Sequence, residues 1–150
     1  MTAGELCNRN VVVAPKTEMV VDAAKRMRMT HVGDVVVVED RLGRRVPIGM
    51  VTDRDIVVSI VSSDPDHISY LSLNDMMSDV LVTAQAQDSI ESALQRMQEH
   101  GVRRLPIVDA DGALVGILTA DDLWRHMTQQ QGLLVELMAN EERRERQFRL

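Results

Sequence analysis

The stretch Gly49-Met-Val-Thr-Asp-Arg-Asp-Ile56 recurs later in the chain as Gly116-Ile-Leu-Thr-Ala-Asp-Asp-Leu123. Each copy consists of an apolar run, a threonine and, three residues after it, an aspartate. The pattern predicts a strand that leads into a helix, because threonine is a favoured N-cap residue and an acidic side chain suits the first helical turn. The two strand–helix junctions, at Thr52 and Thr119, are therefore the first candidates for a ligand site.

The repeat extends over most of the chain. One constant shift aligns Val12 with Val82 and Val38 with Val108, and a slightly shorter shift then aligns Thr52 with Thr119. The register changes in the polar turn 39–45, where a loop tolerates three extra residues at little cost. The sequence therefore predicts two similar structural units that share one architecture.

Hydrophobic periodicity assigns the order strand, helix, strand, strand, helix to each unit. The expected elements of the first unit are a strand at 10–14, a helix capped by Thr17 and ending near 31, strands at 34–38 and 46–51, and a helix from 52 to 62. Those of the second unit are a helical turn at 73–77, a strand at 80–84, a helix at 88–100, strands at 105–108 and 113–118, and a helix from 119. The predicted domains are 5–64, 73–128 and an amphipathic helical tail at 129–150. We expect this tail to pack on its own domain, with an inter-subunit helix as the alternative.

Composition limits the class of protein. The chain of 150 residues is 45% hydrophobic but only 2% aromatic, with ten methionines, which predicts an aliphatic core in which methionine fills gaps. The single cysteine, Cys7, excludes an internal disulfide and agrees with a reducing compartment. Because the N-terminus does not resemble an export signal and no stretch approaches 18 apolar residues, we expect a cytoplasmic protein that does not span a membrane.

The charge and the motifs argue against several functions. A net charge of −6 disfavours general binding to nucleic acids or to anionic membranes. The four histidines, at positions 31, 67, 100 and 126, lack zinc-ligand spacing, so we expect no metal site. The sequence contains no nucleophile elbow, phosphate loop or dinucleotide fingerprint, so we expect no catalysis and no catalytic cofactor.

A tandem of two such units, each ending in Gly, two apolar residues, Thr, two variable residues and Asp, resembles a CBS-domain pair, also called a Bateman module. The resemblance covers roughly residues 5 to 128. It implies an α/β (α+β-like) fold of two tandem β-α-β-β-α CBS motifs related by a pseudo-twofold axis, here followed by a C-terminal helix. It also implies a homodimer and clefts for adenosine-containing ligands such as AMP, ADP, ATP, S-adenosylmethionine or NAD.

The chemistry of the repeated motif agrees with such a ligand. The carboxylates of Asp55 and Asp122 can accept charge-assisted hydrogen bonds from ribose hydroxyls. Thr52 and Thr119 stand at helix N-termini, where free N–H groups and the helix dipole favour phosphate. The alternative is a capping box, in which the Thr and Asp side chains only satisfy the first amides of the helix.

The resemblance implies that each cleft combines the late motif of one unit with early residues of the other. The first predicted cleft comprises Met50, Thr52, Arg54, Asp55, Val80, Leu81, Val82, Val102, Arg103 and Arg104. The second predicted cleft comprises Asn10, Val11, Val12, Val32, Gly33, Asp34, Ile117, Thr119, Asp121 and Asp122. Because carboxylates replace cationic groups in the second cleft, we expect the first to bind a phosphonucleotide better.

The preferred interpretation is a regulatory module that senses an adenine nucleotide or another adenosyl ligand. Because the chain shows no effector domain of its own, the signal would pass to a separate partner protein, whose identity the sequence does not reveal. The rival interpretation is a ligand-independent dimerisation or protein-interaction module.

Overall fold

The computed structural model describes residues 1–78 and 80–149. Its elements are α1 (Ala3–Leu6), β1 (Val13–Ala14), α2 (Val20–Thr30), β2 (Asp34–Arg41), β3 (Arg44–Thr52), α3 (Asp53–Ile56), α4 (Leu73–Met76), β4 (Ala84–Gln85), α5 (Ile90–His100), β5 (Arg104–Val108), β6 (Leu114–Thr119) and α6 (Ala120–Phe148). A π-helical turn at Val57–Val61 continues α3, and a 3-10 helix covers Pro65–Tyr70. The predicted α/β fold of two similar units with a C-terminal helix is confirmed.

Each unit contains a three-stranded sheet, in the order β1-β2-β3 or β4-β5-β6. The first two strands of each sheet run parallel, and the last two form an antiparallel hairpin. In the hairpins Asp34 pairs with Thr52, and Arg104 pairs with Thr119. The pairing places a charged side chain beside each Thr-x-x-Asp junction.

Local chemistry explains where the helices begin and end. Ser89 caps α5 by accepting a hydrogen bond from the Ser92 N–H, and Gly101 ends the helix with a φ of 64°. The N-cap of α2 is Met19, which makes no side-chain capping bond, so the prediction that Thr17 caps this helix is wrong. His31 ends α2 in the same left-handed conformation as Gly101, with a φ of 56°.

Several boundaries differ from the predicted ones. Of the expected first strands, only Val13 and Ala14 in the first unit and only Ala84 in the second join the sheet. Residues 10–12 and 80–82 line cavities. The helix after Thr52 becomes π-helical over Val57–Val61, a segment rich in β-branched side chains that crowd a helix. The last helix continues unbroken to Phe148.

The leading helices are exchanged between the two units. The N–H of Ala3 donates to Asp88 O at 2.8 Å, so α1 lies on the second unit. The N–H of Leu73 donates to Glu18 O at 2.9 Å, so α4 lies on the first unit. Leu73 belongs to the buried core of the first unit, and Ala3 belongs to that of the second. Each core is therefore completed by the other half of the chain.

The repeated glycines make this exchange possible. A Cβ atom on Gly116 would lie 2.5 Å from Cys7 Sγ and 2.7 Å from Asn8 O, and one on Gly49 would lie 2.9 Å from Met77 Cβ. Beside Gly116, Asn8 and Ile117 exchange two backbone hydrogen bonds of 2.9 Å. Both glycines therefore serve close packing of the exchanged segments.

The tail of α6 is exposed. Leu134 and Leu137 are 57% and 62% accessible, and no other part of the described chain covers them. The expectation that the tail packs on its own domain is therefore wrong. No helix within residues 1–78 and 80–149 combines the length and the apolar character needed to cross a bilayer.

Candidate functional site: two cavities between the repeats

Both Thr-x-x-Asp motifs form capping boxes. Asp122 Oδ2 accepts hydrogen bonds from the Thr119 N–H at 3.0 Å and from the Thr119 hydroxyl at 2.7 Å, and the Asp122 N–H donates to Thr119 Oγ1 at 3.1 Å. Asp55 and Thr52 repeat the arrangement, with distances of 2.8 and 3.1 Å between the backbone nitrogens and the accepting oxygens. The capping alternative is thus realised at both junctions, but each carboxylate retains a second oxygen that can accept further bonds.

A cavity of about 500 Å³, hereafter the larger cavity, lies between the two units. Its wall includes all ten residues of the second predicted cleft: Asn10, Val11, Val12, Val32, Gly33, Asp34, Ile117, Thr119, Asp121 and Asp122. The first turn of α6 supplies the last three, because Thr119 is its N-cap. The structure therefore brings the predicted residues of this cleft together.

The larger cavity also contains three arginines that the sequence analysis assigned to the first cleft. Arg54, Arg103 and Arg104 all line its wall. Arg103 Nη2 lies 3.5 Å from Asp121 Oδ1, and Arg104 Nε lies 2.8 Å from Asp34 Oδ2. The expected lack of cations in the second cleft is therefore wrong, because it assumed that each arginine faces only the first.

A second cavity of about 370 Å³, hereafter the smaller cavity, is formed mainly by aliphatic side chains. Its lining comprises Met50, Ser78, Val80, Leu81, Val82, His100, Val102 and Arg104. Six of these belong to the first predicted cleft. Within the described lining, the other four members, Thr52, Arg54, Asp55 and Arg103, do not take part. The smaller cavity therefore lacks the Thr-x-x-Asp junction that the sequence placed there.

Sequence reasoning missed several lining residues. Asn8 and Ala120 line the larger cavity with Asp53, and Ser78 and His100 line the smaller one. Asn8 and Ser78 occupy equivalent positions in the repeat, in the same register that pairs Val12 with Val82. Asn8 and Ser78 could have been found by extending the alignment of the two repeats to the segments that precede the first strands.

The Asp34–Arg104 ion pair is the most enclosed contact of the larger cavity. The two side chains are 14% and 32% exposed, compared with 80% and 78% for Asp121 and Arg103. Burial raises the pKa of Asp34, the positive charge of Arg104 opposes this rise, and the negative charge of Asp53 adds to it. Because enclosed charges are poorly screened, this pair controls the local potential more than the exposed pair does.

The charges on the described wall of the larger cavity nearly balance. Asp34, Asp53, Asp121 and Asp122 face Arg54, Arg103 and Arg104 across a surface that is also partly apolar. Valines and Ile117 supply an apolar slot, while the arginines offer planar, permanently charged donors. This combination can hold a ligand that has an apolar ring at one end and an anion at the other.

Within residues 1–78 and 80–149, no group of three or more His, Cys, Asp or Glu side chains is placed to hold a metal ion. Cys7 is free and buried, and burial raises the pKa of its thiol.

The CBS domain family model matches residues 3–62 and 73–123. The chain belongs to the CBS-domain family. Each matched segment contains one of the two three-stranded sheets, so the predicted CBS-domain pair is confirmed.

Similar proteins span the same module. Hypoxic response protein 1 of Mycobacterium tuberculosis is 33% identical over 128 residues, which are 84% of this chain and 85% of that protein. An uncharacterised protein of Methanopyrus kandleri is 36% identical over 125 residues, which are 82% of this chain but only 61% of that protein. This CBS pair therefore spans about three fifths of the length of the Methanopyrus relative.

Two solved structures are also similar. The crystal structure of hypoxic response protein 1, which contains two coordinated zinc ions, has a TM-score of 0.70 and 32% identity over 84% of this chain and 98% of that one. The structure of CBSX2 in complex with AMP has a TM-score of 0.73 and 26% identity over 87% of this chain and 98% of that one.

Proposed function

We propose that this CBS pair is a regulatory module that binds an adenine nucleotide in the larger cavity and passes its occupancy to a separate partner protein. The observation that carries the proposal is the meeting of an apolar slot, a carboxylate at a helix start and three arginines in one cavity of about 500 Å³. The volume falls within the range of small-molecule sites. CBSX2, a relative with the same fold, was solved with AMP.

Each part of an adenine nucleotide has a counterpart on the wall. The base would lie in the slot formed by Val12, Val32 and Ile117. The ribose hydroxyls would donate to Asp122, whose Oδ2 serves the cap while Oδ1 lies 3.5 Å from Arg125. The phosphate would meet the N-terminus of α6, a helix of 29 residues, together with the nearby arginines.

The smaller cavity is proposed as a secondary adenosyl site. Its mostly aliphatic lining suits an uncharged ring better than a phosphate, and Arg104 is the permanent cation among its described residues. We therefore propose an order of the two clefts that is the reverse of the one expected from sequence. S-adenosylmethionine and NAD, with different charges, belong to the same test panel.

A different class of function is favoured by another observation. Both carboxylates already serve as caps, and Trp124, Val57 and Val58 expose large apolar surfaces. These features would also suit a ligand-independent dimerisation or interaction module. We also propose that the chain forms a homodimer. We further propose a cytoplasmic location, because Cys7 is free and the chain is acidic.

The experiment that separates these functions is a thermal-shift screen of the full chain with AMP, ADP, ATP, NAD and S-adenosylmethionine. A ligand that binds only the folded state adds about 2.7 kcal/mol of stability at a concentration 100 times its Kd. We expect adenine nucleotides to raise Tm and guanosine monophosphate to have a smaller effect. A flat response to every adenosine compound would contradict the proposal and favour the ligand-independent module.

A further inference from the structure

Arg104 belongs to both cavities. Among the described lining residues it is the one that the larger and the smaller cavity have in common. It stands at the start of β5, opposite Thr119 in the antiparallel ladder, where the two units meet. A single side chain is therefore within reach of ligands on two sides.

The guanidinium of Arg104 also neutralises a carboxylate. Its Nε lies 2.8 Å from Asp34 Oδ2 in an ion pair. A Cβ atom on Gly33 would lie 3.3 Å from Arg104 Nη2 and 3.0 Å from Asp53 Oδ2, so both charged groups converge on the bare backbone of this glycine. Arg104 therefore pairs with Asp34 and lies near Asp53 at the wall of the larger cavity.

The two cavities differ in what else they offer an anion. The larger cavity has Arg54 and Arg103 in addition, whereas the described remainder of the smaller cavity is aliphatic apart from Ser78 and His100. An anion in the smaller cavity must draw on Arg104. Drawing that charge away leaves Asp34 without its ion-pair partner and makes the larger cavity more negative. Conversely, a phosphate that holds Arg104 in the larger cavity removes the main cation from the smaller one.

We propose that Arg104 is a cation shared by the two clefts, so that an anion bound in one cleft weakens anion binding in the other. This inference rests on the proposed function, because it requires that the clefts receive ligands. Linkage makes the effect reciprocal: each anion reduces the affinity for the other by the same factor. Uncharged ligands, which do not draw on the guanidinium, bind without this coupling.

The test is a site-resolved titration of the full chain by methyl NMR. Val12 lines the larger cavity and Val82, its equivalent in the repeat, lines the smaller one, so their methyl groups report separately on the two clefts. Titrations with AMP and with adenosine yield two site affinities and one coupling factor for each compound. We expect AMP in one cleft to weaken AMP binding in the other at least tenfold, and adenosine to show a coupling factor near one.

Two variants make the test specific. Arg104→Gln is expected to bring the coupling factor for AMP to the value for adenosine. Arg103→Gln, which removes a charge that lines only the larger cavity, is expected to weaken AMP at Val12 but to retain the coupling. If adenosine bound to both clefts and AMP bound to only one, the result would also support the proposal. It would mean that AMP in one cleft prevents AMP binding in the other completely.

The contrary outcomes are distinct. Uncoupled binding of AMP to both clefts, retention of the coupling in Arg104→Gln, or confinement of both compounds to the larger cavity would overturn the shared cation while leaving the proposed function intact. Confinement of both compounds to the smaller cavity would overturn both the shared cation and the proposed function. A lack of response of both methyl reporters to both compounds would overturn the proposed function and this inference together.

Discussion

Asp34 and Arg104 occupy equivalent positions of the two repeats and form an ion pair with each other. Strictly identical repeats would bring two like charges together at this point. The opposite charges instead make the contact between the first and the second unit attractive. The pair therefore helps to specify that the two different halves of the chain associate.

Removing Arg104 should destabilise the fold more than removing Arg103. Arg104→Gln leaves the enclosed carboxylate of Asp34 without its partner, at an expected cost of about 1–3 kcal/mol. Arg103→Gln breaks a highly exposed ion pair and should cost less than about 1 kcal/mol. Urea unfolding at pH 7 measures both values. Asp34→Asn in the Arg104→Gln background should restore most of the loss, and equal effects of the two arginine variants would count against the assignment.

Asp34 should make stability depend on pH in the acid range. Because burial raises its pKa in the folded state, the folded chain binds the proton more tightly than the unfolded chain does. The contribution of the protonated side chain is fully present below the unfolded pKa of about 3.9 and is lost as the pH rises through the folded value. The wild type should therefore gain stability relative to Asp34→Asn on acidification, as measured by urea unfolding at several pH values.

Asp75 provides a control of opposite sign. Hydrogen bonds from Ser72 lower its pKa, so its contribution is present above the unfolded pKa and is lost as the pH falls through the folded value. The wild type should lose stability relative to Asp75→Asn on acidification. A shift in the same direction for both variants would show that the measured effect does not come from these particular carboxyl groups.

Alanine substitutions should separate the packed glycines from an unpacked one. Gly116→Ala forces a methyl group against Cys7 and the backbone oxygen of Asn8, with an expected cost of about 1–3 kcal/mol. Gly132, inside α6, has open space around it, so Gly132→Ala should add up to about 1 kcal/mol through better helix propensity. Denaturant midpoints measure both changes, and a tolerated Gly116→Ala would refute the proposed role of the glycine.

Ligand binding should depend more on Asp122 than on Asp55. Both residues cap a helix, but only Asp122 lines the larger cavity. Asp122→Asn should lower AMP affinity tenfold or more, whereas Asp55→Asn, which loses an equivalent cap, should change it by less than threefold. Calorimetric titration gives the affinities independently of Tm. Equal losses would show that capping, and not contact with the nucleotide, explains the effect.

The exposed tail should contribute to self-association. Leu134 and Leu137 lie on one apolar stripe of α6, and helices that are not packed on a core are marginal in water. The double variant Leu134→Glu/Leu137→Glu should lower the dimer fraction in analytical ultracentrifugation. Val135 is also exposed but points to another side of the helix, so Val135→Glu should leave association unchanged. A monomeric wild type would refute the expected dimer.

The repeat made most of the architecture predictable. The four valines at 35–38 and the Asp-Ala-Asp-Gly turn before β6 fixed the hairpins, because buried strands and tight turns depend on local sequence. The exchange of α1 and α4 was not predicted, since nothing in a contiguous stretch reveals which half a short helix will contact. The capping boxes were predicted only as an alternative, because the same Thr and Asp residues suit a cap and a ligand.

Much of the membership of the site was predictable, but its charge was not. The family resemblance supplied ten residues of the second cleft, all of which line the larger cavity, but it did not supply Asn8, Asp53 or Ala120. It misplaced Arg54 and Arg103, because the direction of a long side chain at a junction between two units depends on the carboxylates across that junction. Asp121 is such a partner for Arg103.

The exchange of leading helices also determines what would happen if the chain were cut. A break in the connection at 62–71 would leave Leu73 on the C-terminal fragment, although it completes the core of the N-terminal one. Ala3 would remain on the N-terminal fragment, although it completes the core of the C-terminal one. The two fragments would therefore complement each other, because each supplies a helix that completes the core of the other. Neither fragment would have a complete core alone, so the two could be produced separately and would form the native structure only when mixed.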